Sequence, residues 1–86
     1  CETSTGTIHD VKGIGELLRN YPDVLLIADG ITAYGVHDIP TDKWGIDAGI
    51  TGSQKALMTP PGLAVISLNE KAQQRLSKVE SRSYYF

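Results

Sequence analysis

The chain has 86 residues, 41% hydrophobic and 21% charged, a composition ordinary for a soluble globular protein. Its formal net charge is -2 without a basic run, which argues against nucleic-acid binding, and its longest apolar stretch, Val24 to Ala28, is too short to span a membrane. We therefore expect one small domain or a piece of a larger one, and the single cysteine, Cys1, which allows no internal disulfide, fits a reducing compartment.

The first half of the chain predicts a loop, a helix and a buried strand. Residues 2–6 are small and polar and end in glycine, which is typical of a loop. Asp10 is a good N-cap for a helix to about Tyr21, because four apolar residues share one face at helical spacing. They are Val11, Ile14, Leu17 and Leu18. The continuous apolar run Val24 to Ala28 then predicts a strand covered on both faces, as in a parallel sheet.

The second half predicts two more strands and a closing helix. After a turn-like stretch from Asp38 to Gly45, strands are expected at about Ala48 to Thr51 and at Leu63 to Leu68. Asn69 should cap a helix that continues to about Val79, with Ala72, Leu76 and Val79 on its inner face. This order of elements indicates an α/β layer with helices on a mostly parallel sheet. The chain is too short to complete such a sheet, which suggests missing strands.

Two charged residues follow predicted strands, at the edge where open α/β sheets bind ligands. Asp29 ends the first strand, where an acid more often caps a turn than binds a ligand. Lys55 follows the second strand, and a lone lysine is usually a solvated surface charge. However, small hydrogen-bonding residues precede Lys55 and apolar residues follow it. Partial desolvation there would favour the neutral amine that Schiff-base chemistry needs.

Other chemical motifs are absent from the sequence. A phosphate-binding P-loop needs glycine directly before its lysine, where Gln54 stands here, and Gly13-Ile14-Gly15 lacks the third glycine of a dinucleotide fingerprint. His9 and His37 are isolated, so no zinc-binding spacing occurs. Trp44 lies in a polar stretch, where packing or anchoring of that stretch is its expected role.

Five blocks of sequence, in the expected order, resemble the class V aminotransferases. They are Glu2-Thr3-Ser4-Thr5-Gly6, Leu25 to Ile31, Trp44-Gly45-Ile46-Asp47, Gly52 to Leu57, and Pro60-Pro61-Gly62-Leu63. The resemblance covers nearly the whole chain and is to the alanine–glyoxylate and serine–glyoxylate (serine–pyruvate) aminotransferase group, including soluble hydrogenase small subunit-like proteins. It implies that residues 1–86 are a three-layer fragment of the large domain of the pyridoxal phosphate (PLP)-transferase fold type I, without that domain's N-terminal part and the C-terminal small domain.

The resemblance also implies a PLP site. Lys55 matches the lysine that forms a Schiff base with PLP, and Asp29 matches the acid that pairs with the pyridine nitrogen. The remaining matches are Thr3, a small hydroxyl residue at the cofactor; Ile31, packed against the ring; Gln54, a polar contact; and Ser53, which helps to position the phosphate. The sequence departs from the family's usual residues at Cys1, Ala28 and Gly30, next to intact chemical residues.

The implied activity is transamination from a small amino acid (alanine, serine or aspartate) to glyoxylate or pyruvate by a cytoplasmic homodimer. No metal is expected. In the family the phosphate loop and the substrate-carboxylate arginine lie outside the matched region, so the 86 residues alone are expected to be inactive. Two alternatives stay open: another class V PLP enzyme, desulfurase- or kynureninase-like, and a non-catalytic structural module. Cys1 is in the wrong place for a desulfurase nucleophile.

Overall fold

The computed structural model describes residues 1–80, in which three helices flank a three-stranded sheet. In chain order the elements are α1 (Val11–Leu18), β1 (Ile27–Asp29), α2 (Thr41–Trp44), β2 (Ala48–Gly52), β3 (Ala64–Leu68) and α3 (Glu70–Leu76). The strand order is β1-β2-β3, with β1 parallel and β3 antiparallel to β2. Over residues 1–80 the sheet is therefore mixed rather than mostly parallel. Residues 53–63 reverse the chain direction between β2 and β3, whereas a parallel β3 would need a crossover connection.

Both predicted helix caps are confirmed. Asp10 Oδ1 accepts a hydrogen bond from the Gly13 amide at 2.9 Å, and Asn69 Oδ1 accepts one from the Ala72 amide at 2.9 Å. The predicted ends were too late, since α1 stops at Leu18 and α3 stops at Leu76. Beyond both ends the amides bond three residues back, as in isolated turns. No helix found in residues 1–80 has the length and apolar character needed to cross a membrane.

The first strand begins later than predicted because the backbone of Leu26 is bonded to Asp47. The Leu26 amide donates to Asp47 Oδ2 at 2.7 Å, and the Leu26 carbonyl accepts from the Asp47 amide at 2.9 Å. Ladder pairing then starts at Ile27 opposite Ala48. The prediction that both faces of this strand are covered was wrong for the described residues, since Ile27 is 61% exposed.

The short helix α2 was missed and was predicted as a turn. It is one turn long and ends at Gly45, which adopts a left-handed φ of 71° and donates its amide back to Asp42. Helix α1 packs directly against this turn at buried Gly15. The contact is so close that a Cβ at this position would collide with the carbonyl of Trp44. Trp44 is half-buried and is the last residue of α2.

Helix α3 covers the face of the sheet near Ala48 and Leu68. Ala72 is buried there as predicted, but Leu76 is 66% exposed and Val79 is 61% exposed. Leu76 and Val79 lie on the side of α3 that faces the sheet, as predicted, but residues 1–80 do not bury them. They line an open apolar groove together with Ile27 and Ala72.

The buried carboxylate of Asp47 joins the start of β2 to three other parts of the chain. Its Oδ2 accepts hydrogen bonds from the Leu26 amide and from Lys71 Nζ at 3.3 Å, and its Oδ1 accepts one from Asn69 Nδ2 at 2.8 Å. The Asp47 carbonyl also accepts the Asn69 amide at 3.0 Å. Burial alone would raise the pKa of Asp47, but the hydrogen bonds from Leu26, Asn69 and Lys71 outweigh it, so the pKa is lowered from 3.8.

Replacing this carboxylate should destabilise the fold strongly. Asp47→Asn keeps the size of the side chain but turns an amide toward buried donors. We expect the intact protein to lose about 2–4 kcal/mol of unfolding free energy, measured by urea denaturation. The matched control is Asp42→Asn on the exposed surface of α2, which should change stability by less than about 0.5 kcal/mol. Equal effects of the two substitutions would contradict the role given to Asp47.

The same carboxylate should make stability depend on acid pH. Because its folded pKa is below its unfolded value, the contribution of Asp47 is complete above about pH 4 and is lost as pH falls through the folded pKa. Unfolding free energies of the intact protein, measured from pH 7 down to pH 2, should fall less steeply below pH 4 in Asp47→Asn than in the wild type. Parallel curves would show that Asp47 has no lowered pKa.

Candidate functional site

Two charged residues predicted to act together lie at the same edge of the sheet. Strands β1 and β2 are parallel, and Asp29, the last residue of β1, pairs with Ile50. Gln54 and Lys55 come just after the end of β2. The carboxyl ends of neighbouring parallel strands thus present both groups at the edge where α/β sheets bind ligands.

Asp29 both caps a turn and faces a cleft. Its Oδ1 accepts the Ile31 amide at 3.0 Å, while its Oδ2 accepts no hydrogen bond from residues 1–80. The exposed carboxylate borders a cleft of about 360 Å³ that Thr3 and Ile31 also line. The cap and the ligand-binding role considered for this acid are therefore compatible, because one oxygen serves the turn and the other is available.

The loop that carries Thr3 is closed by its own hydrogen bonds. The Glu2 amide donates to the Thr7 carbonyl at 2.8 Å, and the Gly6 amide donates to the Glu2 carbonyl at 2.9 Å. The hydroxyl and amide of Ser4 donate to Glu2 Oε1 at 2.6 and 2.9 Å, and these bonds lower the pKa of Glu2. Thr3 is thus held at an exposed turn beside the cleft.

Lys55 lies in the turn that follows β2, and its side chain is exposed. Its carbonyl accepts the amide of Met58, which adopts a left-handed φ of 52°. The partial burial expected from the flanking sequence is not found in the described residues. Lys55 is also not among the residues lining the clefts next to Asp29. Lys55 therefore lies beyond the carboxyl end of β2, at the same edge of the sheet as Asp29, but residues 1–80 do not enclose its side chain.

Ser53 fastens the turn to the loop before β3. It is 2% exposed, and its hydroxyl donates to the Pro60 carbonyl at 2.7 Å and accepts the Leu63 amide at 3.3 Å. Its carbonyl accepts the Thr59 hydroxyl at 2.9 Å. These bonds hold the Ser53 hydroxyl against the loop before β3. The resemblance implies that Ser53 helps to position the phosphate, and that role stays a prediction.

Ile31 and Gln54 approach each other above Gly52. A Cβ at Gly52 would lie 3.1 Å from Gln54 Oε1 and 3.3 Å from Ile31 Cδ1, so both side chains use the space that the glycine leaves open. Gly35 has a φ of 97°, and a Cβ there would lie 3.3 Å from the Ala56 carbonyl oxygen and 3.2 Å from Leu57 Cδ2. The segment after β1 therefore packs against the turn that carries Lys55.

The predicted site residues thus fall into overlapping groups. Thr3, Asp29 and Ile31 share a cleft, and Ile31 and Gln54 both lie next to Gly52. Sequence reasoning missed Tyr34, whose ring covers Gly30 beside Asp29; the two glycines it covers, Gly30 and Gly49, were the available signal. Within residues 1–80 no three His, Cys, Asp or Glu side chains are grouped so that they could hold a metal ion.

Comparisons with known proteins identify the family of the chain. Residues 1–85 match the family model described as aminotransferase class-V. The chain is 38% identical over 84 residues to the soluble hydrogenase small subunit of Synechococcus sp., covering 98% of this chain and 22% of that protein. It is 36% identical over 86 residues to the serine–glyoxylate aminotransferase of Arabidopsis thaliana, covering 99% of this chain and 21% of that protein.

A solved structure shares the fold. The ureidoglycine–glyoxylate aminotransferase of Bacillus subtilis superposes with a TM-score of 0.83 at 43% identity, covering 90% of this chain and 20% of that one. This likeness confirms the predicted fold class, part of the PLP-transferase fold. The chain spans about a fifth of the length of the relatives that it matches.

The bonds of Ser53 predict a structural effect of its removal. Ser53→Ala should lower the unfolding free energy of the intact protein by about 1–2 kcal/mol, because the hydroxyl of this buried residue no longer bonds the Pro60 carbonyl and the Leu63 amide. Thermal or urea unfolding measures this loss. The control is Ser77→Ala at the exposed end of α3, which should cost well under 1 kcal/mol. A Ser53→Ala protein of wild-type stability would show that these hydrogen bonds contribute nothing.

Proposed function

Because this chain belongs to the class V aminotransferase family, we propose that the protein is a PLP-dependent transaminase that uses Lys55 and Asp29. The carrying observation is that Asp29, with one free carboxylate oxygen, and Lys55 follow neighbouring parallel strands at one edge of the sheet. Glyoxylate is the proposed acceptor, since the relatives include a serine–glyoxylate and a ureidoglycine–glyoxylate aminotransferase. The proposed donor is a small amino acid such as alanine, serine or aspartate, and pyruvate is a second possible acceptor.

The residues at the cleft beside Asp29 fit PLP chemically. A carboxylate can hold a protonated pyridine nitrogen, an apolar side chain can pack on the ring, and a hydroxyl can bond to a ring substituent. Asp29, Ile31 and Thr3 supply these groups at one cleft, and Gln54 adds a polar group next to Ile31. We assign Ser53 to holding the turn after β2, because its hydroxyl already makes two hydrogen bonds.

Bound PLP supplies an acceptor for the electrons released at the substrate Cα. The Lys55 amine would hold the cofactor covalently and, once released by the amino substrate, would accept the proton from the substrate Cα as a general base and deliver it to the cofactor carbon as a general acid. The Asp29 carboxylate would hold the protonated pyridine nitrogen through an ionic hydrogen bond. Because Lys55 is exposed in residues 1–80, we propose that further parts of the protein exclude water from it and supply the substrate-carboxylate arginine.

Several wider assignments are part of this proposal. We place residues 1–86 in a large PLP-binding domain and expect the complete protein to be a homodimer in the cytoplasm. A desulfurase-like activity is less well supported, since Cys1, the sole cysteine of these 86 residues, is in the wrong place for a desulfurase nucleophile. A non-catalytic module remains the alternative that the following experiment excludes or supports.

Substitution of the two charged residues tests the function. In the intact protein with serine or alanine and glyoxylate, Lys55→Ala should lower turnover by roughly 1,000-fold or more, because it removes both nucleophile and proton carrier. Asp29→Asn should lower turnover by about 100-fold, because it weakens the charge that holds the ring proton. Steady-state kinetics measure both losses. Lys12→Ala, on the exposed surface of α1, is the control and should match the wild type.

The covalent attachment is measured separately. Borohydride reduction of the wild-type protein followed by peptide mass spectrometry should find PLP on Lys55, and Lys55→Ala should carry none. Near-normal transamination by Lys55→Ala, or PLP attached to a different lysine, would refute the assignment. A wild-type protein that neither binds PLP nor transaminates would support the non-catalytic module.

A further inference from the structure

Residues 30–37, the bridging turn, contact three parts of the proposed site. Its first amide, of Gly30, donates to the Ile50 carbonyl at 2.9 Å, which ties it to β2. The Thr32 hydroxyl donates to the Cys1 carbonyl at 3.1 Å, which ties it to the loop that carries Thr3. Gly35 packs on the carbonyl of Ala56, next to Lys55. A displacement of the bridging turn would therefore change the spacing of the groups around it.

Tyr34 holds the centre of this turn against the sheet. Its amide donates to the Gly30 carbonyl at 2.9 Å, and its ring lies over the Cα of Gly30, where a Cβ would collide with the ring edge. The hydroxyl end of the ring reaches Gly49 in the middle of β2, where a Cβ would collide with the hydroxyl oxygen. Both glycines are buried. One aromatic ring thus fills the space left by two glycines: Gly30, which directly follows Asp29, and Gly49, in the strand that precedes Lys55.

The hydroxyl of Tyr34 adds no hydrogen bond to this contact. The oxygen is buried and has no partner among residues 1–80, and burial raises the pKa of the phenol. It remains a neutral group at physiological pH. The ring contacts, rather than a polar bond, therefore keep the turn in place, and phenylalanine should serve as well as tyrosine.

We propose that Tyr34 is a positioning residue for PLP binding, acting through Gly30 and Gly49 to hold the bridging turn so that Asp29 and Ile31 keep their placement relative to Gln54 and Lys55. Tyr34 itself contacts neither cofactor nor substrate in this role. The inference rests on the proposed function and deepens it, because it gives a role to a residue outside the predicted cofactor contacts.

The first test compares three variants of the intact holoprotein. Tyr34→Ala removes the ring and should weaken PLP binding by about tenfold or more, with a shifted absorbance maximum of the lysine-bound cofactor, because misplacement of binding groups is costly. Tyr34→Phe keeps the ring and should bind PLP within about twofold of the wild type. Tyr21→Ala removes a tyrosine that is 55% exposed just beyond α1 and should leave PLP affinity and absorbance unchanged.

The second test uses the contact with Gly49. Gly49→Ala should also weaken PLP binding, because its Cβ displaces the Tyr34 ring. Adding Tyr34→Phe removes the colliding oxygen. The new Cβ at position 49 then lies 3.0 Å from the nearest ring carbon and 2.9 Å from Ser67 Oγ, which belongs to an exposed residue. The double variant should therefore recover most of the lost affinity. If Gly49→Ala does not fold, the Tyr34 series alone decides.

Titration with PLP, well below each variant's melting temperature, separates positioning from stability. A Tyr34→Ala protein that melts earlier but binds PLP with wild-type affinity and absorbance would overturn the positioning role while leaving the proposed function intact. If Tyr34→Phe does not relieve the Gly49→Ala defect, the proposal that Tyr34 acts through its contact with Gly49 is wrong. Absence of PLP on Lys55 in the wild type would overturn both the proposed function and this inference.

Discussion

The hydrogen bonds to the Asp47 carboxylate set the register on which the rest of the structure depends. They fix the Leu26 backbone just before β1 and the cap residue of α3 at the same end of the sheet. Ladder pairing from Ile27 opposite Ala48 follows from this arrangement. A shift of β1 by one residue would turn Asp29 to the other face of the sheet, because neighbouring side chains of a strand point to opposite faces. Asp47, at the opposite end of the strands, therefore sets the position of Asp29, the acid proposed to hold the cofactor.

The two edges of the sheet differ in how their polar groups are used. At the edge near Asp47 both carboxylate oxygens accept hydrogen bonds from the protein, and burial with these bonds gives a structural acid. At the opposite edge Asp29 uses one oxygen for its turn and leaves the other available. Asp47 directly precedes a strand and Asp29 ends one, so their use of hydrogen bonds, rather than their place in the sheet, distinguishes them. Satisfied hydrogen-bonding capacity marks the structural acid, and unused capacity beside a cleft marks the candidate ligand-binding acid.

Local sequence predicted local structure well. The caps at Asp10 and Asn69 and the strand from Ala48 were predictable, because they depend on residues within a few positions of each other. The late start of β1 was not, because it depends on Asp47, which is distant in sequence and was read only as part of a motif. The antiparallel direction of β3 was missed because strand direction depends on pairing with β2, whereas the single turn of α2, formed by local hydrogen bonds, was assigned to a turn. The resemblance located Asp29 and Lys55 in the chain, but the exposure of Lys55 and the commitment of the Ser53 hydroxyl are set by tertiary contacts.

Strand β3 is exposed at all five of its positions and pairs with β2 on one side only, as far as the described residues extend. Its other side presents amide and carbonyl groups in a row, with β-branched Val65 and Ile66 in its middle. Such a row is a template for any further extended segment, whether it continues the same sheet or comes from a neighbouring molecule. If the 86 residues are expressed by themselves, copies of the chain can therefore associate through the unpaired side of β3. A further strand paired with β3 would remove this risk.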